Sequence, residues 1–377
     1  MSQKMTAVEL TQALLRFETV NPPGDELACA QFIGKMLESG GFQVKYYEFD
    51  HNRTSLIASI DGAKNVPPLC FTGHIDVVPL GKSDWSKSPF RGEIESGKLY
   101  GRGSSDMKSG VAAMVLAAMD LARRPALQAG IKLVITAGEE RCCQGANYLA
   151  SLPNVLGETG AIVVGEPTSN VPLLGHKGVL WFEAIAKGKT AHGSMPEKGE
   201  NAIYKVARAI SGLIDFDFAE KHELMGKATL NVGTMFGGEN INSVPDYAQF
   251  TIDIRSIPGQ DHEAIRAGLQ QKFGDDVNLL TLHSGSAIYT EPENRWVQSV
   301  FDVMEKITGQ RAQPAVAPYF TDGSALKNAM GNPPALILGP GELSQAHKTD
   351  EFCFVENIDQ AYEAYLQIGE NWVVHTS

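Results

Sequence analysis

The sequence predicts an α/β protein, a mainly parallel mixed sheet flanked by helices, with a ferredoxin-like α+β domain inserted into it. Three observations predict this. Over the first 170 residues, short apolar runs alternate with segments of helical spacing. Charged and imidazole side chains stand at the ends of three of those runs, where open α/β sheets collect ligands. From about Lys177 the alternation gives way to a β-α-β-β-α-β order, that of the split ferredoxin-like unit. At 377 residues the chain exceeds what one hydrophobic core usually serves, so two domains are expected.

Taken in order, residues 5–16 and 25–40 carry helical spacing, and Gly40-Gly41 ends the second helix. Apolar runs at 43–48, 55–60 and 68–73 read as strands. Residues 108–123 form a long helix of small residues, followed by a strand at 131–137, a helix near 143–151 and a strand at 161–165. The inserted unit has strands at 179–187, 228–234, 247–255 and 277–283, with helices at 200–213 and 262–273. Helical spacing resumes after Glu291-Pro292 at Val297, Val300, Phe301 and Met304. Another helix, the strand Ala335-Leu336-Ile337-Leu338 and a helix at 357–373 follow. The first domain is therefore expected to comprise residues 1–176 and 291–377, and the insertion 177–290.

Composition is that of a globular protein, 43% hydrophobic and 20% charged. The net charge of 32 − 44 = −12 argues against a nucleic-acid groove, which needs a basic face. No run approaches the roughly 18 apolar residues of a membrane span. The N-terminus has no apolar signal core and reads directly as an amphipathic helix, so a cytoplasmic protein is expected. Five cysteines, an odd number that includes the adjacent Cys142-Cys143, give no disulfide framework and no Cys-x-x-Cys knuckle.

His74-Ile75-Asp76 follows the run Leu69–Thr72, Glu139-Glu140 follows Leu133–Thr136, and Glu166 follows Ala161–Val164. Imidazole and carboxylate suit zinc, and a carboxylate can bridge two metals. His74 would take a metal while Asp76 orients its ring through the second nitrogen. The plainer alternative is a buried histidine–aspartate pair. Asp106 lies in Gly101-Arg102-Gly103-Ser104-Ser105-Asp106, where it could be a ligand or the N-cap of the helix that follows. Adjacent carboxylates such as Glu139 and Glu140 repel unless a cation or proton separates them, so one can bind metal while the other stays free as a base. A solvated acidic loop is the alternative. Glu166 and His347 add further ligands, with a surface residue as the alternative for each and the plainer reading of His347 taken alone, and it is the combination that points to a metal pair. Cys142 and Cys143 read as small residues starting the next helix rather than as a thiolate ligand or nucleophile. Gly188-Lys189-Thr190 is not a phosphate loop, because Glu183 stands where the first glycine belongs.

Together these segments resemble the dinuclear zinc amidohydrolases that include acetylornithine deacetylase, succinyl-diaminopimelate desuccinylase, aminoacylases and carboxypeptidase G. The resemblance spans nearly the whole chain. It is carried by Thr72-Gly73-His74-Ile75-Asp76, Gly101–Gly110, Gly138-Glu139-Glu140, Gly165–Ser169, Ala191-His192-Gly193-Ser194 and Gly199-Glu200-Asn201-Ala202. It implies two divalent ions, zinc with cobalt or manganese as alternatives. Asp106 would bridge them, with a cis peptide to Met107. His74 and Glu166 would complete one shell, and Glu140 and His347 the other. Glu139 would be the general base and Asp76 the support of His74. His192 of a partner subunit would polarise the substrate carbonyl, which makes the insertion a lid and a homodimerisation domain. Asn242 and Arg255 would hold the substrate, Arg255 through its carboxylate.

Within that family, several details lean towards acetylornithine deacetylase. They are Glu166-Pro167-Thr168-Ser169, His176-Lys177-Gly178, Thr229–Gly233 with Gly237-Gly238, and Gly339-Pro340-Gly341 ahead of His347. Thr321-Asp322-Gly323 resembles the desuccinylase, and Thr321 and Gly323 are taken as substrate-binding. Gly193, where the family often has serine, and the Cys142-Cys143 pair depart from the pattern and bear on substrate preference. The expected substrate is a small N-acyl amino acid or, in a dipeptidase or carboxypeptidase, a short peptide. A non-catalytic binding relative should have lost a ligand or the base, and here all are present.

Overall fold

Six strands make the central sheet, in the order Gln43–Asp50, Arg53–Ile60, Ile131–Thr136, Leu69–His74, Ala161–Val164, Ala335–Ile337. The last four run parallel, and Arg53–Ile60 joins them antiparallel, so the sheet is mixed and mainly parallel. The structure, a computed structural model, describes residues 5–125 and 127–374. The first four residues of the N-terminal segment read above lie outside the described residues. The parallel strands are buried along their whole length, which is why their sequences are continuous apolar runs rather than alternating ones.

The helix Lys108–Ala122 is buried on nearly every side. Its run of alanines and one glycine lets it sit against the sheet while the helices Ala7–Leu15 and Val355–Val373 pack against it. Each large apolar side chain fully buried here contributes about 1.5–3 kcal/mol. Lys108 is wholly buried at its start, and its ammonium donates to the carbonyls of Leu14 and Phe17 at 3.2 and 2.8 Å. These carbonyls lie in and just beyond the last turn of Ala7–Leu15, where the Lys108 ammonium adds to the N–H groups of Phe17 and Thr19 that they also accept.

A second, three-stranded sheet pairs Phe352–Phe354 with Lys98–Tyr100 and the latter with Glu93–Glu95, all antiparallel. Through it the segment after His347 runs beside the glycine-rich loop that carries Asp106.

The chain divides into two compact units. One takes the described residues up to Gly175, Tyr289–Ala317, and those from Thr321 onward. The other is His176–Ile288 with Pro318–Phe320. In the second unit the sheet order is Thr229–Gly237, Tyr247–Arg255, Val179–Lys187, Asn278–Gly285, antiparallel throughout. With the helices Ala202–Ser211 and His262–Phe273 this is the β-α-β-β-α-β arrangement. The two central strands alternate buried and partly buried residues, as a sheet with one packed face must. Phe182, Phe250, Ile252 and Leu269 lie in its core.

Candidate metal centre

The carboxyl ends of the parallel strands place three side chains together. His74 is the last residue of its strand and pairs in register with Thr136, three residues before Glu139. Thr72 pairs with Val164, two residues before Glu166. Asp106 arrives from the loop that precedes the helix Lys108–Ala122, across a cis peptide to Met107. His347 comes from the segment leading to Phe352–Phe354.

Asp106 stands at the middle. Its Oδ1 lies 3.2 Å from His74 Nε2, and its Oδ2 lies 3.5 Å from His347 Nε2. His74 Nε2 is also 3.7 Å from Glu166 Oε1, and His347 Nε2 is 3.1 Å from Glu140 Oε2. Two sets of donors result, His74–Asp106–Glu166 and Asp106–Glu140–His347, each with its atoms within 4.8 Å of one another. Asp106 is common to both and turns one oxygen towards each. His74, Asp106, Glu140 and Glu166 are mostly buried, whereas His347 is 56% exposed.

The electrostatics show what is needed there. Burial pulls the His74 imidazole down, but Glu166, Asp106 and Asp76 outweigh it and hold its pKa well above the ordinary range. Burial raises Glu166 and Glu139 well above the carboxylate range, and neighbouring carboxylates push the same way. Glu140 is raised by burial and by Asp106. The Asp106 and Glu140 hydrogen bonds hold His347 up to about 10. So much buried negative charge calls for cations or protons. Glu140 Oε1 is moreover buried without a hydrogen-bond partner among the described residues. Nitrogen and oxygen donors with one shared carboxylate fit a pair of divalent ions.

Behind these donors lies a buried frame. Asp76 is fully buried, and its carboxylate accepts the backbone N–H groups of Glu139 and Glu140 at 3.0 and 3.2 Å and the Asn21 amide at 2.8 Å. Burial pushes its pKa up, and the His74 ring, Asn21 and Glu139 N–H outweigh that and hold it low. The His74 Nδ1 meets the main-chain carbonyl of Asp76 at 3.0 Å, with the carboxylate at 3.5 Å. Asp76 thus orients the imidazole chiefly through its backbone, while its side chain fixes the Glu139-Glu140 turn.

Glu351 was not read from the sequence as a site residue. Its buried carboxylate accepts the backbone N–H groups of Gly103, Ser105 and Asp106 at 3.0, 2.8 and 3.0 Å, and Arg102 Nη1 at 2.6 Å. It holds the loop from which Asp106 projects. Gly341 lies against the same loop, where an added Cβ would stand 2.0 Å from the Ser105 carbonyl.

Cys142 and Cys143 both adopt left-handed backbone angles, φ 64° and 54°, which non-glycine residues seldom hold. Cys143 is the N-cap of the helix Gln144–Ser151, and its thiol faces Glu139 Oε1 at 3.5 Å. Asp322, between Thr321 and Gly323, is buried beside them and accepts the Thr136 hydroxyl. Burial raises its pKa to about 6. The Thr321 hydroxyl accepts the Gly323 N–H.

His192, Asn242 and Arg255 belong to the second unit. His192 is exposed, its Nδ1 paired with the Ser194 hydroxyl at 2.8 Å, and the Asn242 carbonyl accepts the N–H of Gly193. The Arg255 guanidinium pairs with Asp253 at 2.9 Å and is about a third exposed.

Two imidazoles and a set of carboxylates, with Asp106 common to two donor sets at the carboxyl edge of a parallel sheet, are the side chains of a metal-dependent hydrolase, and the comparisons agree. The chain belongs to peptidase family M20/M25/M40, whose sequence profile matches residues 70–371. It is 30% identical over 386 residues to the succinyl-diaminopimelate desuccinylase of Wolbachia pipientis, across 98% of this chain and 94% of that one. Its fold is similar to that of an M20 metallo-carboxypeptidase from Sulfolobus solfataricus, with TM-score 0.82, 20% identity, and coverage of 98% and 99%. It is similar too to a dinuclear metal-binding peptidase of the family from Bacillus subtilis, with TM-score 0.69, 16% identity, and 96% of each chain covered. The desuccinylase name is the alternative that Thr321-Asp322-Gly323 raised in the sequence.

Proposed function

We propose that the protein hydrolyses the amide bond of a small N-acylated amino acid, and that an N-succinylated substrate of the diaminopimelate type is favoured over N-acetylornithine. The observation that carries the reaction is Asp106, whose two oxygens face His74 on one side and His347 on the other, with Glu139 within electrostatic reach of His74 and Glu166. The likeness to the desuccinylase, at 30% identity over nearly the full length, supports the choice of acyl group.

In this reading His74, Asp106 and Glu166 hold one divalent ion, and Asp106, Glu140 and His347 the other. When bound, the ions supply Lewis acidity for the amide carbonyl and acidify water, zinc being the first candidate and cobalt or manganese the alternatives. Glu139 is fixed at its backbone by Asp76 and is raised by burial, so its carboxylate is suited to take a proton from the attacking water and pass it to the leaving amine. Glu351 holds the loop that presents Asp106, so the carboxylate is positioned before substrate arrives.

The second unit is assigned as lid and dimerisation domain. Its exposed strand Thr229–Gly237, with Met235 and Phe236 open to solvent, supports pairing with a second copy. His192 would serve the partner's site, with Asn242, Arg255, Thr321 and Gly323 binding substrate. Among the described residues no helix is long and apolar enough to cross a membrane.

The test is hydrolysis of N-succinyl-diaminopimelate, N-acetylornithine and a dipeptide panel, side by side, after loading with zinc, cobalt or manganese. Preference for the succinylated substrate supports the reading. Preference for acetylornithine or for peptides overturns the acyl assignment, and no hydrolysis of any amide overturns the reaction. Sedimentation checks the dimer.

A further inference from the structure

We propose that Glu139, Cys143 and Asp322 form a third cation site, for a thiophilic divalent ion such as Cd2+ or excess Zn2+, and that filling it withdraws Glu139 from catalysis. The second half of this statement rests on Glu139 being the general base, and the first half stands without it.

One carboxylate oxygen of Glu139, the Cys143 sulfur and one carboxylate oxygen of Asp322 lie within 4.8 Å of one another, so a single ion can touch all three. None of the three belongs to the His74–Asp106–Glu166 or Asp106–Glu140–His347 set. The positions follow from local structure. Cys143 stands at the N-cap position of the helix Gln144–Ser151 and Asp322 at that of the helix Gly323–Ala329, two short helices that pack together.

A second observation points to a ligand. Asp322 is 2% exposed. Its Oδ2 accepts the Thr136 hydroxyl, while its Oδ1 is buried without a hydrogen-bond partner of ordinary geometry among the described residues, and the weakly donating Cys143 thiol lies against the carboxylate. A buried carboxylate oxygen served by no more than a thiol is costly and rare. Cys143 is 1% exposed and makes its side-chain contact with Glu139, so its sulfur already faces inward.

The donor set selects the ion. One sulfur with two carboxylates favours Zn2+ or Cd2+ over Mg2+, Mn2+ or Ca2+, which prefer oxygen alone. Binding converts the thiol to a thiolate, and its proton leaves to solvent. Glu139 then spends its oxygen on the ion. Activity should therefore rise as the two hydrolytic ions bind and fall as a third follows.

The protein, loaded with two equivalents of Zn2+, is titrated with Cd2+. In the wild type, ultraviolet thiolate-to-cadmium absorption should grow as a third metal equivalent is retained through gel filtration. Hydrolysis should fall with the same midpoint. Cys143→Ser should abolish the absorption and raise the half-inhibiting Cd2+ concentration more than about tenfold. Asp322→Asn should weaken both signals, and Cys142→Ser should leave the absorption intact. Retention of only two equivalents with no thiolate absorption would overturn the site, as would absorption that survives in Cys143→Ser. A third equivalent with full absorption and undiminished hydrolysis would uphold the site and overturn the role of Glu139, so the two failures are separable.

Discussion

Asp76 Oδ1 accepts the backbone N–H of Glu139 at 3.0 Å. Its Oδ2 takes the N–H of Glu140 at 3.2 Å, so one buried carboxylate sets the turn that carries both acids. Asp76→Asn leaves only one acceptor oxygen for two amides. It should lower turnover by about 10- to 100-fold, the range for groups that orient metal ligands, and retain both ions. His74→Ala should lose metal instead. Metal content by mass spectrometry, beside kcat, distinguishes them, and metal loss in Asp76→Asn as complete as in His74→Ala would refute the division of labour.

Glu139→Gln keeps the size of the side chain and removes its basicity. Turnover should drop by about 10²–10⁴-fold, the usual contribution of a general base, while two metal equivalents remain bound. If that variant loses an ion, Glu139 and Glu140 have been assigned the wrong way round.

Metal uptake should release protons. In the metal-free centre His347 is held up to about 10 by Asp106 and Glu140 and is therefore protonated at neutral pH. An ion there must displace that proton, so affinity should strengthen about tenfold per pH unit for each proton displaced, and weaken as pH falls. Calorimetry in buffers of different ionisation enthalpy counts the protons, and a pH-independent affinity would contradict the ligand role of His347. The metal-free protein has the opposite trend from this group. A histidine raised on folding stabilises fully below its unfolded value near ~6.5, and that contribution is lost as pH rises through the folded value.

Glu351→Ala strips the carboxylate from Arg102, which is 1% exposed and keeps the carbonyls of Lys348 and Pro79, and from three backbone amides of the Asp106 loop. Breaking a buried pair in this way costs about 3–5 kcal/mol. Denaturant unfolding should show that loss, accompanied by weaker metal retention. Glu351→Gln, which keeps the acceptor oxygen, should lose less of both. An unchanged unfolding midpoint in Glu351→Ala would show that the loop holds itself.

The central sheet was legible because parallel strands buried on both faces leave uninterrupted apolar runs, as at Leu69–His74 and Ile131–Thr136. The candidate donors at their ends were placed for the same reason, since the end of such a run is also the end of the strand. The strands Glu93–Glu95, Lys98–Tyr100 and Phe352–Phe354 were not, because three residues are too few to display a period of two. Glu351 escaped with them. Its partners are backbone amides some 245 positions away, and an amide leaves no mark on the residue that owns it. The Asp76 side chain was paired with His74 by proximity in sequence, and it does lie 3.5 Å from that ring, but its bond to the turn at Glu139, 63 positions on, left no mark in the sequence. Pro318–Phe320, counted with the second unit, carries no pattern that separates it from its neighbours.

His347 and Glu351 come from the last stretch of the chain, whereas the residues they complete come from its first half. During synthesis, His74, Asp106, Glu140 and Glu166 leave the ribosome long before either arrives. Until then the second donor set lacks its imidazole, and the loop presenting Asp106 lacks the carboxylate that shapes it.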